Sequence, residues 1–330
     1  MSAPKTSLNL SALKLVKKLC DEADKYAVTV EQSESGTTLV DAGIKAEGGY
    51  LAGEMVTEIC LGGYGKAVVN PVQYGDLILP SVFVQTDHPA LSLLGSQFAG
   101  WQIKGDGFSA IASGPARALA LKPKHLYETL MYMDEADVAV LVLETEMKPP
   151  ESIIQQIAEK CKVTPKNLYL IMFSTTSLTG ATQVSGRIVE TGLHKLERLK
   201  LNPLVVKHAW GYAPIVPSHP NAGEAMGRSN DAILYGGVTN YTVDYDDETV
   251  LETIAKQAPS SASKMLQEAK RLNAKNPRFL DIFKEAGFDF YKVDPNIFAP
   301  AVVALTNKRT GRTFKAGQLD TDVLKESLGF

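Results

Sequence analysis

The chain is poor in cysteine and contains no spaced set of metal ligands. Its three cysteines, Cys20, Cys60 and Cys161, form no CxxC pair, so neither a disulfide framework nor a cysteine zinc site is indicated. The five histidines show no HxxxH or HExxH spacing, which argues against the common zinc motifs. Scattered thiols are typical of small buried side chains in a reducing compartment, and we predict a cytoplasmic protein without a metal site.

Long apolar runs and a strong net charge are also missing. No uninterrupted apolar stretch approaches the roughly 20 residues of a membrane span, and Lys14, Lys17 and Lys18 break the apolar pattern that a signal peptide needs. A formal net charge of −3 gives no electrostatic reason to expect nucleic acid or an anionic membrane as a partner. The chain lacks a GxSxG elbow and a complete GxGxxG after a strand, which argues against serine hydrolases and Rossmann dinucleotide-binding proteins.

What is present is the composition of an ordinary globular protein. Hydrophobic residues make up 45% and charged residues 22% of the 330 residues, enough for two domains or one large one. Predicted strands and helices alternate with hairpin signals between them, which favours an α/β fold with mixed sheets. Pro149 and Pro150 mark an approximate boundary. We predict α/β domains over residues 1–150 and 151–330, with a C-terminal hairpin that could pack back on the first domain.

Hydrophobic periodicity and turn residues predict the individual elements. The first helix is capped by Ser7 or Asn9, and the strand over residues 77–86 contains Pro80, which suggests an edge strand or a bulge. The other elements used below are strands over residues 27–31, 37–41, 55–60, 101–112, 137–144, 168–173, 232–236 and 241–245, helices over residues 151–161 and 181–199, a structured loop over residues 208–230 and a C-terminal hairpin over residues 301–316.

The most informative stretch covers residues 175–195, which follow a buried strand and a Ser/Thr/Gly loop. In the predicted helix, Gln183, Arg187, Glu190 and His194 fall within about 60° of one another on the half opposite the apolar residues. One interpretation is a solvated face with an ordinary surface ion pair. The other is a catalytic carboxylate with a tuning cation, because α/β proteins place ligand sites where buried strands end.

Two glycine-containing segments are candidate anion sites. The loop before Lys66 could cradle a phosphate on backbone N–H groups, although it lacks the Ser/Thr of a Walker A sequence and also fits a plain tight turn. The Ser113-Gly114-Pro115 segment opens a predicted helix that carries Arg117, and a helix N-terminus with a nearby arginine can bind an anion. Simple helix capping explains the second segment about equally well.

Longer blocks carry a resemblance to a known family. The chain resembles methenyltetrahydromethanopterin cyclohydrolases nearly from end to end, and such ordered blocks are far more specific than a short motif. The blocks lie at residues 37–43 (TTLVDAG), 86–90 (TDHPA), 96–101 (SQFAGW), 113–120 (SGPARALA), 183–195 (QVSGRIVETGLHK), 225–237 (AMGRSNDAILYGG) and 298–300. Archaeal members carry Lys in the SQ-x-AGW block where this chain has Phe98.

The resemblance implies a function and a set of site residues. The family hydrolyses the methenyl bridge between N5 and N10 of tetrahydromethanopterin to the 5-formyl compound, in methanogenic and sulfate-reducing archaea and in formaldehyde-oxidising bacteria. It implies two α/β domains flanking a large pocket, a homotrimer, and no metal or redox cofactor. The family's Arg-x-x-Glu pair matches Arg187 and Glu190. Other candidates for contacting the pterin, water, phosphate or carboxylates of the substrate are Gln183, Ser185, Ser113, Arg117, Arg228, Asn230 and Lys66.

Two alternatives to this activity remain at this point. The first is a non-catalytic pterin-binding or sensing protein of the same fold, although a binder has no need of the carboxylate at Glu190. The second is an enzyme that acts on the methenyl bridge of tetrahydrofolate. Folate enzymes of that activity have a different sequence plan with a NAD(P) site, which this chain lacks.

Overall fold

The computed structural model describes residues 6–329, and its chain folds into two compact units. The first unit comprises the residues up to Ala67 together with Ala90–Gln183, and the second comprises Val68–Pro89 together with the chain from Val184 onward. Each unit contains one six-stranded sheet with both parallel and antiparallel pairs. The predicted α/β class with mixed sheets is therefore confirmed.

Strands and helices alternate along the described chain. The strands are β1 (Thr29–Gln32), β2 (Thr38–Asp41), β3 (Lys66–Tyr74), β4 (Leu77–Thr86), β5 (Trp101–Gly105), β6 (Phe108–Ser113), β7 (Ala139–Glu144), β8 (Leu168–Phe173), β9 (Val206–Pro214), β10 (Val238–Val243), β11 (Val302–Asn307) and β12 (Thr313–Gly317). The α-helices are α1 (Leu8–Asp21), α2 (Ala23–Tyr26), α3 (Tyr50–Cys60), α4 (Ala116–Ala120), α5 (Lys124–Leu130), α6 (Glu151–Cys161), α7 (Leu178–Ser185), α8 (Ile188–Arg198), α9 (Ala222–Gly236), α10 (Glu248–Gln257), α11 (Ala262–Leu272), α12 (Phe279–Glu285) and α13 (Thr321–Leu328). A π-helical segment spans Ala90–Gln97.

The central strands of the first unit's sheet are buried on both faces. Its strand order is β1-β2-β8-β7-β6-β5, and β2, β8 and β7 run parallel. Alternate residues of β7 enter different cores: Leu141 packs in a cluster with Ile154 of α6, and Val140 packs in one with Val16 of α1. This two-sided burial explains why β7 and β8 read as continuous apolar runs in the sequence.

The sheet of the second unit has one closed and one open face. Its strand order is β12-β11-β10-β9-β4-β3, and β10–β11 is a parallel pair. Val84 and Tyr241 are fully buried on the closed face. Trp210 lies on the other face, opposite Gln85 in the β4–β9 register, and is 40% exposed.

Several predicted elements are wrong, and two of them, over residues 55–60 and 232–236, are short apolar runs that fit both helices and strands. Residues 55–60 belong to helix α3, whose buried Ala52, Val56 and Ile59 are spaced as on one helix face. The predicted strand over 101–112 is a hairpin, with a turn whose Asp106 and Gly107 both have positive φ. The loop over 208–230 and the strand over 232–236 are replaced mainly by β9 and α9, and the helix over 181–199 is divided into α7 and α8.

The chain crosses between the two units at residues 67/68, 89/90 and 183/184, whereas Pro149-Pro150 lies inside the first unit. The physical reason is strand pairing: β8, which follows Pro150, pairs with β7, which precedes it.

The hairpin β3–β4 joins the second sheet because β4 pairs with β9. Strand β4 therefore lies inside that sheet, and the predicted edge position of Pro80 is wrong. The C-terminal hairpin also lies in the second sheet, beside β10. Ser7 caps α1 by accepting from the N–H of Leu10.

A buried carboxylate joins three helices of the second unit. Asp231 on α9 is fully buried and accepts hydrogen bonds from the N–H groups of Phe279 and Leu280 and from Ser327 Oγ on α13. Burial raises the pKa of Asp231 to about 7, although these donors oppose the rise. A carboxyl group that is protonated well above its usual range makes folding depend on pH.

We predict that the free energy of unfolding falls between pH 4 and pH 7 on account of Asp231. An unfolded Asp titrates near pH 4, so in this window the folded state holds a proton that the unfolded state has lost. The stabilisation is complete below about pH 4 and is lost as the pH rises through about 7, by an amount on the order of 2–4 kcal/mol. Urea unfolding of Asp231→Asn should show a flatter pH dependence, whereas Asp322→Asn on the exposed side of α13 should keep the wild-type slope. An unchanged slope in Asp231→Asn would contradict the assignment.

Candidate active site

A break between α7 and α8 positions the charged residues of the second unit. Helix α7 ends at Ser185, residues 186–187 form a turn, and Arg187 is the N-cap residue of α8. The predicted continuous helix is therefore wrong at this point, and Gly186 lies in the turn rather than within a helix. The consequence is that Glu190 falls in the first turn of α8, where the helix dipole favours a negative charge.

Arg187 and Glu190 form a buried ion pair. Arg187 Nη2 lies 2.8 Å from Glu190 Oε2, and the two side chains are only 12% and 5% exposed. The interpretation as a solvated surface pair is therefore wrong, because a surface pair would leave both groups in water. Charges this far out of water interact strongly, and each would be costly to bury without the other. The fold therefore holds the two charges together in its interior.

Tyr241 on β10 fixes the middle of α8. Its hydroxyl donates to the carbonyl oxygen of Val189 at 2.7 Å, and burial raises the pKa of this phenol, so it stays protonated. A Cβ atom added at Gly192 would clash with Tyr241 Oη. The lack of a side chain at Gly192 thus lets Tyr241 of β10 approach α8 closely.

The remaining candidates of the second unit have local partners. Ser185 is fully buried, and its hydroxyl donates to the carbonyl oxygen of Pro214 at 2.8 Å. Asn230 donates to the carbonyl oxygen of Met226 one turn earlier on α9. Arg228, also on α9, approaches the carbonyl oxygen of Leu328 at 3.5 Å, and its buried Nε has no hydrogen-bond partner within residues 6–329. Of these three, Arg228 has the largest unused hydrogen-bonding capacity.

Gln183 and Ser113 lie together in the first unit. Gln183 Nε2 is 3.3 Å from Cys60 Sγ, and Ser113 Oγ is 3.5 Å from the same sulfur atom. Gln183 is fully buried, and its Oε1 has no hydrogen-bond partner in the part of the chain that the structure describes. An unpaired buried carbonyl oxygen calls for an explanation, and a ligand or water that donates to it is the usual one. Sequence reasoning missed Cys60, which no motif identifies.

Arg117 and Lys66, the two cationic candidates of the first unit, have structural partners. Arg117 is fully buried and donates to the carbonyl oxygens of Leu94, Ser96 and Lys122, and the ring of Phe98 lies 5.3 Å from its guanidinium carbon. Lys66 pairs with Glu58 at 2.9 Å. The ring of Phe98 thus packs against the guanidinium group of Arg117 as a cation–π contact.

The sequence predicted the Ser/Thr loop that follows β8, but it did not identify the carboxylates that these hydroxyl groups contact where β7 ends. Thr175 Oγ1 donates to Glu144 at 2.6 Å, and Ser174 Oγ donates to Glu146 at 2.7 Å. Glu144 is the last residue of the apolar strand β7, and this position was the available signal, because the carboxyl ends of parallel strands meet at one sheet edge.

Among residues 6–329, no group of three or more His, Cys, Asp or Glu side chains is arranged to hold a metal ion. The helices of the same residues include none that is both long and apolar enough to cross a membrane.

The family model and the relatives that match this chain all indicate the same family. The family model described as Cyclohydrolase (MCH) matches residues 7–328 of this chain. The chain is 43% identical to the methenyltetrahydromethanopterin cyclohydrolase of Methanothermobacter marburgensis over 98% of this chain and 99% of the relative. It is 43% identical to the enzyme of that name from Methanobrevibacter smithii and 41% identical to the one from Methanocaldococcus jannaschii, each over 98% of both chains.

The packing of Gly192 against Tyr241 generates a prediction. At an open helical position Gly→Ala stabilises by roughly 1 kcal/mol. We expect Gly192→Ala to destabilise instead, by about 1–3 kcal/mol, because the added methyl group would displace Tyr241. The measurement is urea unfolding at fixed protein concentration.

The double variant Gly192→Ala/Tyr241→Phe is the matched control. Removing the hydroxyl removes the closest clash, so the two substitutions should be less than additive in the unfolding free energy. A stabilising or neutral Gly192→Ala substitution would show that Tyr241 does not constrain this part of α8.

Proposed function

Because the chain belongs to the methenyltetrahydromethanopterin cyclohydrolase family, we propose that it hydrolyses the methenyl bridge of 5,10-methenyltetrahydromethanopterin to the 5-formyl compound. The observation that supports the proposal is the buried Arg187–Glu190 ion pair, whose spacing agrees with the Arg-x-x-Glu pair that the family resemblance implies. This assigns the protein to one-carbon metabolism on a pterin carrier.

The reaction needs two proton movements around one carbon atom, from the attacking water and to N10, before the final loss of a proton from the product. The bridge carbon belongs to an amidinium group, so it is already electrophilic and carries positive charge. Water adds to it and loses a proton, which gives a tetrahedral centre bonded to N5, N10 and a hydroxyl group. Protonation of N10 then makes it a leaving group, the C–N10 bond breaks, and loss of the hydroxyl proton leaves a formyl group on N5. No electron transfer occurs, so the step requires no redox cofactor, and we propose that none is used, nor a metal ion.

We assign the proton movements to Glu190. A carboxylate can accept the proton of the attacking water and then deliver it to N10, because both atoms are bonded to the same carbon. Glu190 is fixed in the first turn of α8 with its Oε2 oriented by Arg187. An ionised carboxylate also attracts the cationic substrate, which favours binding in the state that is ready to react.

Arg187 acts as the positioning residue for this carboxylate. Its guanidinium group is a cation and favours the ionised form of the neighbouring Glu190. The planar guanidinium group also restricts the orientation of the carboxylate, which an ammonium group does less well. Arg187 thus keeps Glu190 ready to accept a proton.

We propose that the other candidate residues also contact the substrate, and they differ in whether their polar atoms already have protein partners. Gln183 has an unpaired buried Oε1 and Arg228 an unpaired buried Nε within the described chain, which supports a polar ligand or water at each. Ser113, Ser185, Asn230, Arg117 and Lys66 already have protein partners, so their contribution to binding needs a shared or exchanged hydrogen bond. The alternative of a non-catalytic pterin-binding protein is disfavoured, because binding alone does not need a buried carboxylate held by an arginine.

We further propose a homotrimer in a reducing, cytoplasmic compartment. The free thiols of Cys20, Cys60 and Cys161 support the compartment. The open face of the second sheet supports an assembly: Phe83 and Trp210 stack there with ring centroids 6.0 Å apart, and Trp210 is 40% exposed. Exposed aromatic groups on a sheet face mark an interaction surface.

The assembly can be tested by light scattering on the purified chain. We expect a mass about three times the 35.7 kDa of one chain. Trp210→Glu should shift the mass toward the monomer, because it places a charge on the apolar face, whereas Val250→Glu on α10, also 40% exposed in the wild type, should not. A monomeric wild type rules out the trimer, and a trimeric Trp210→Glu variant rules out this face.

Substitution of Glu190 tests the catalytic assignment. Glu190→Gln keeps the shape of the side chain but removes the base. We expect turnover to fall at least about 100-fold, since a positioned acid–base group contributes about 10²–10⁴-fold, while substrate binding changes only a few-fold. The assay follows the loss of methenyl absorbance, and equilibrium binding is measured separately.

Glu197→Gln, on the same helix but half-exposed, is the matched control and should turn over at the wild-type rate. Near-normal turnover of Glu190→Gln would refute the role of Glu190. Parallel assays with the methenyl derivatives of tetrahydromethanopterin and tetrahydrofolate test the substrate, and a faster reaction with the folate compound would refute the pterin assignment.

A further inference from the structure

The second unit contains a polar cavity that the proposed reaction does not use. It has a volume of about 280 Å³ and lies between α11 and the chain segment that follows α12. Its polar lining comprises Lys264, Gln267, Glu268 and Arg271 from α11 and Lys292, Asp294 and Asn296 from the later segment.

A buried lysine lies behind the wall of this cavity. Lys195, in the last turns of α8, is 2% exposed, and its Nζ donates to the backbone carbonyl oxygen of Asn296 at 2.5 Å. Lys264, which lines the cavity, places its positive charge near Lys195. Burial and the positive charges of Lys264 and Arg198 lower the pKa of Lys195 to about 8. Two neighbouring ammonium groups repel each other and create a field that favours an anion.

The carboxylates of the cavity do not cancel this field. Glu268 accepts two hydrogen bonds from Arg271 and one from the N–H of Asp294, so its charge is matched by Arg271. Asp294 accepts hydrogen bonds from the backbone and side-chain nitrogens of Asn296. It is the one remaining carboxylate of the cavity lining against the two ammonium groups of Lys264 and Lys292. Neither Lys264 nor Lys292 forms an ion pair with any residue between 6 and 329. The local balance is therefore positive.

We propose that this cavity binds a compact dianion of the phosphate type, held by the Lys264 and Lys292 ammonium groups with the amide groups of Gln267 and Asn296 beside them. An anion on Lys264 offsets the repulsion between Lys264 and Lys195 and adds to the counter-charge that Asp294 supplies to the buried Lys195. The volume accommodates a free inorganic phosphate or the phosphoryl group of a small ester.

The test is calorimetric titration of the full-length protein with inorganic phosphate in chloride buffer at constant ionic strength. We expect saturable binding of about one phosphate per chain that depends on Lys264. Lys264→Gln should weaken it at least about tenfold, because a charge-assisted contact is lost. Lys270→Gln, on the same helix but outside the cavity lining, is the matched control and should bind as the wild type does.

Thermal unfolding separates a binding site from a folding defect. Phosphate should raise the melting temperature of the wild type with the concentration dependence of a bound ligand. Without phosphate, Lys264→Gln should melt no lower than the wild type, because it removes the repulsion of Lys195, yet it should lose the stabilisation by phosphate.

Glycerol 2-phosphate in place of inorganic phosphate distinguishes the two sources of the anion. Binding of both indicates the phosphoryl group of a larger ligand, and binding of phosphate alone indicates the free ion. Absence of saturable binding, equal binding by Lys264→Gln, or equal weakening by Lys270→Gln would overturn the proposal. The readout is binding, so the result does not depend on whether the protein turns over the pterin.

Discussion

The constraint on which the site depends is the burial of two opposite charges at the start of one helix. The side chains of Arg187 and Glu190 are almost fully removed from water, and Arg187 Nη2 lies 2.8 Å from Glu190 Oε2. Neither charge could be buried without the other, because an isolated ion in the protein interior costs several kcal/mol. The turn between α7 and α8 meets this requirement: it places Arg187 at the cap of α8 and Glu190 one turn inside it. A fold selected for stability alone would fill this position with apolar side chains at no loss.

Helix α8 connects three features of the second unit. Its first turn carries the buried pair, its middle is fixed by Tyr241 against Gly192, and its last turns carry the buried Lys195 beside the cationic cavity. A helix held at three points along its length keeps the orientation of Glu190 within narrow limits. Precise placement is what proton transfer requires, since a displacement of about 1 Å can cost 100-fold in rate.

The sequence predicted regular, strongly patterned parts of the fold well. Helix α6 and strand β8 occupy the predicted residues, because an amphipathic helix and a doubly buried strand leave clear patterns. Helix α3 was mistaken for a strand because the short run over residues 55–60, rich in apolar and β-branched residues, fits either structure. The units were not predictable from the proline pair at 149–150, because strand pairing between distant segments, such as β4 with β9, decides which chain segments belong together.

The candidate site, like the fold, could be predicted from the sequence only in part. The Arg-x-x-Glu spacing identified the pair, but its burial could not be read from the sequence, because the polar side of a helix is usually solvated. Arg117 was a reasonable anion ligand by its position after a glycine and a proline, yet the structure uses it to bind backbone carbonyls. Cys60 and Tyr241 had no motif, and only packing revealed them.

The central claim is that Arg187 acts through Glu190, and a double-mutant cycle on turnover tests it most directly. The rate constants of the wild type, Arg187→Met, Glu190→Gln and the double variant are measured with methenyltetrahydromethanopterin under single-turnover conditions. If Arg187 only positions and charges Glu190, the double variant reacts as slowly as Glu190→Gln and no slower. If the two losses multiply instead, Arg187 has a catalytic role of its own and the account is contradicted.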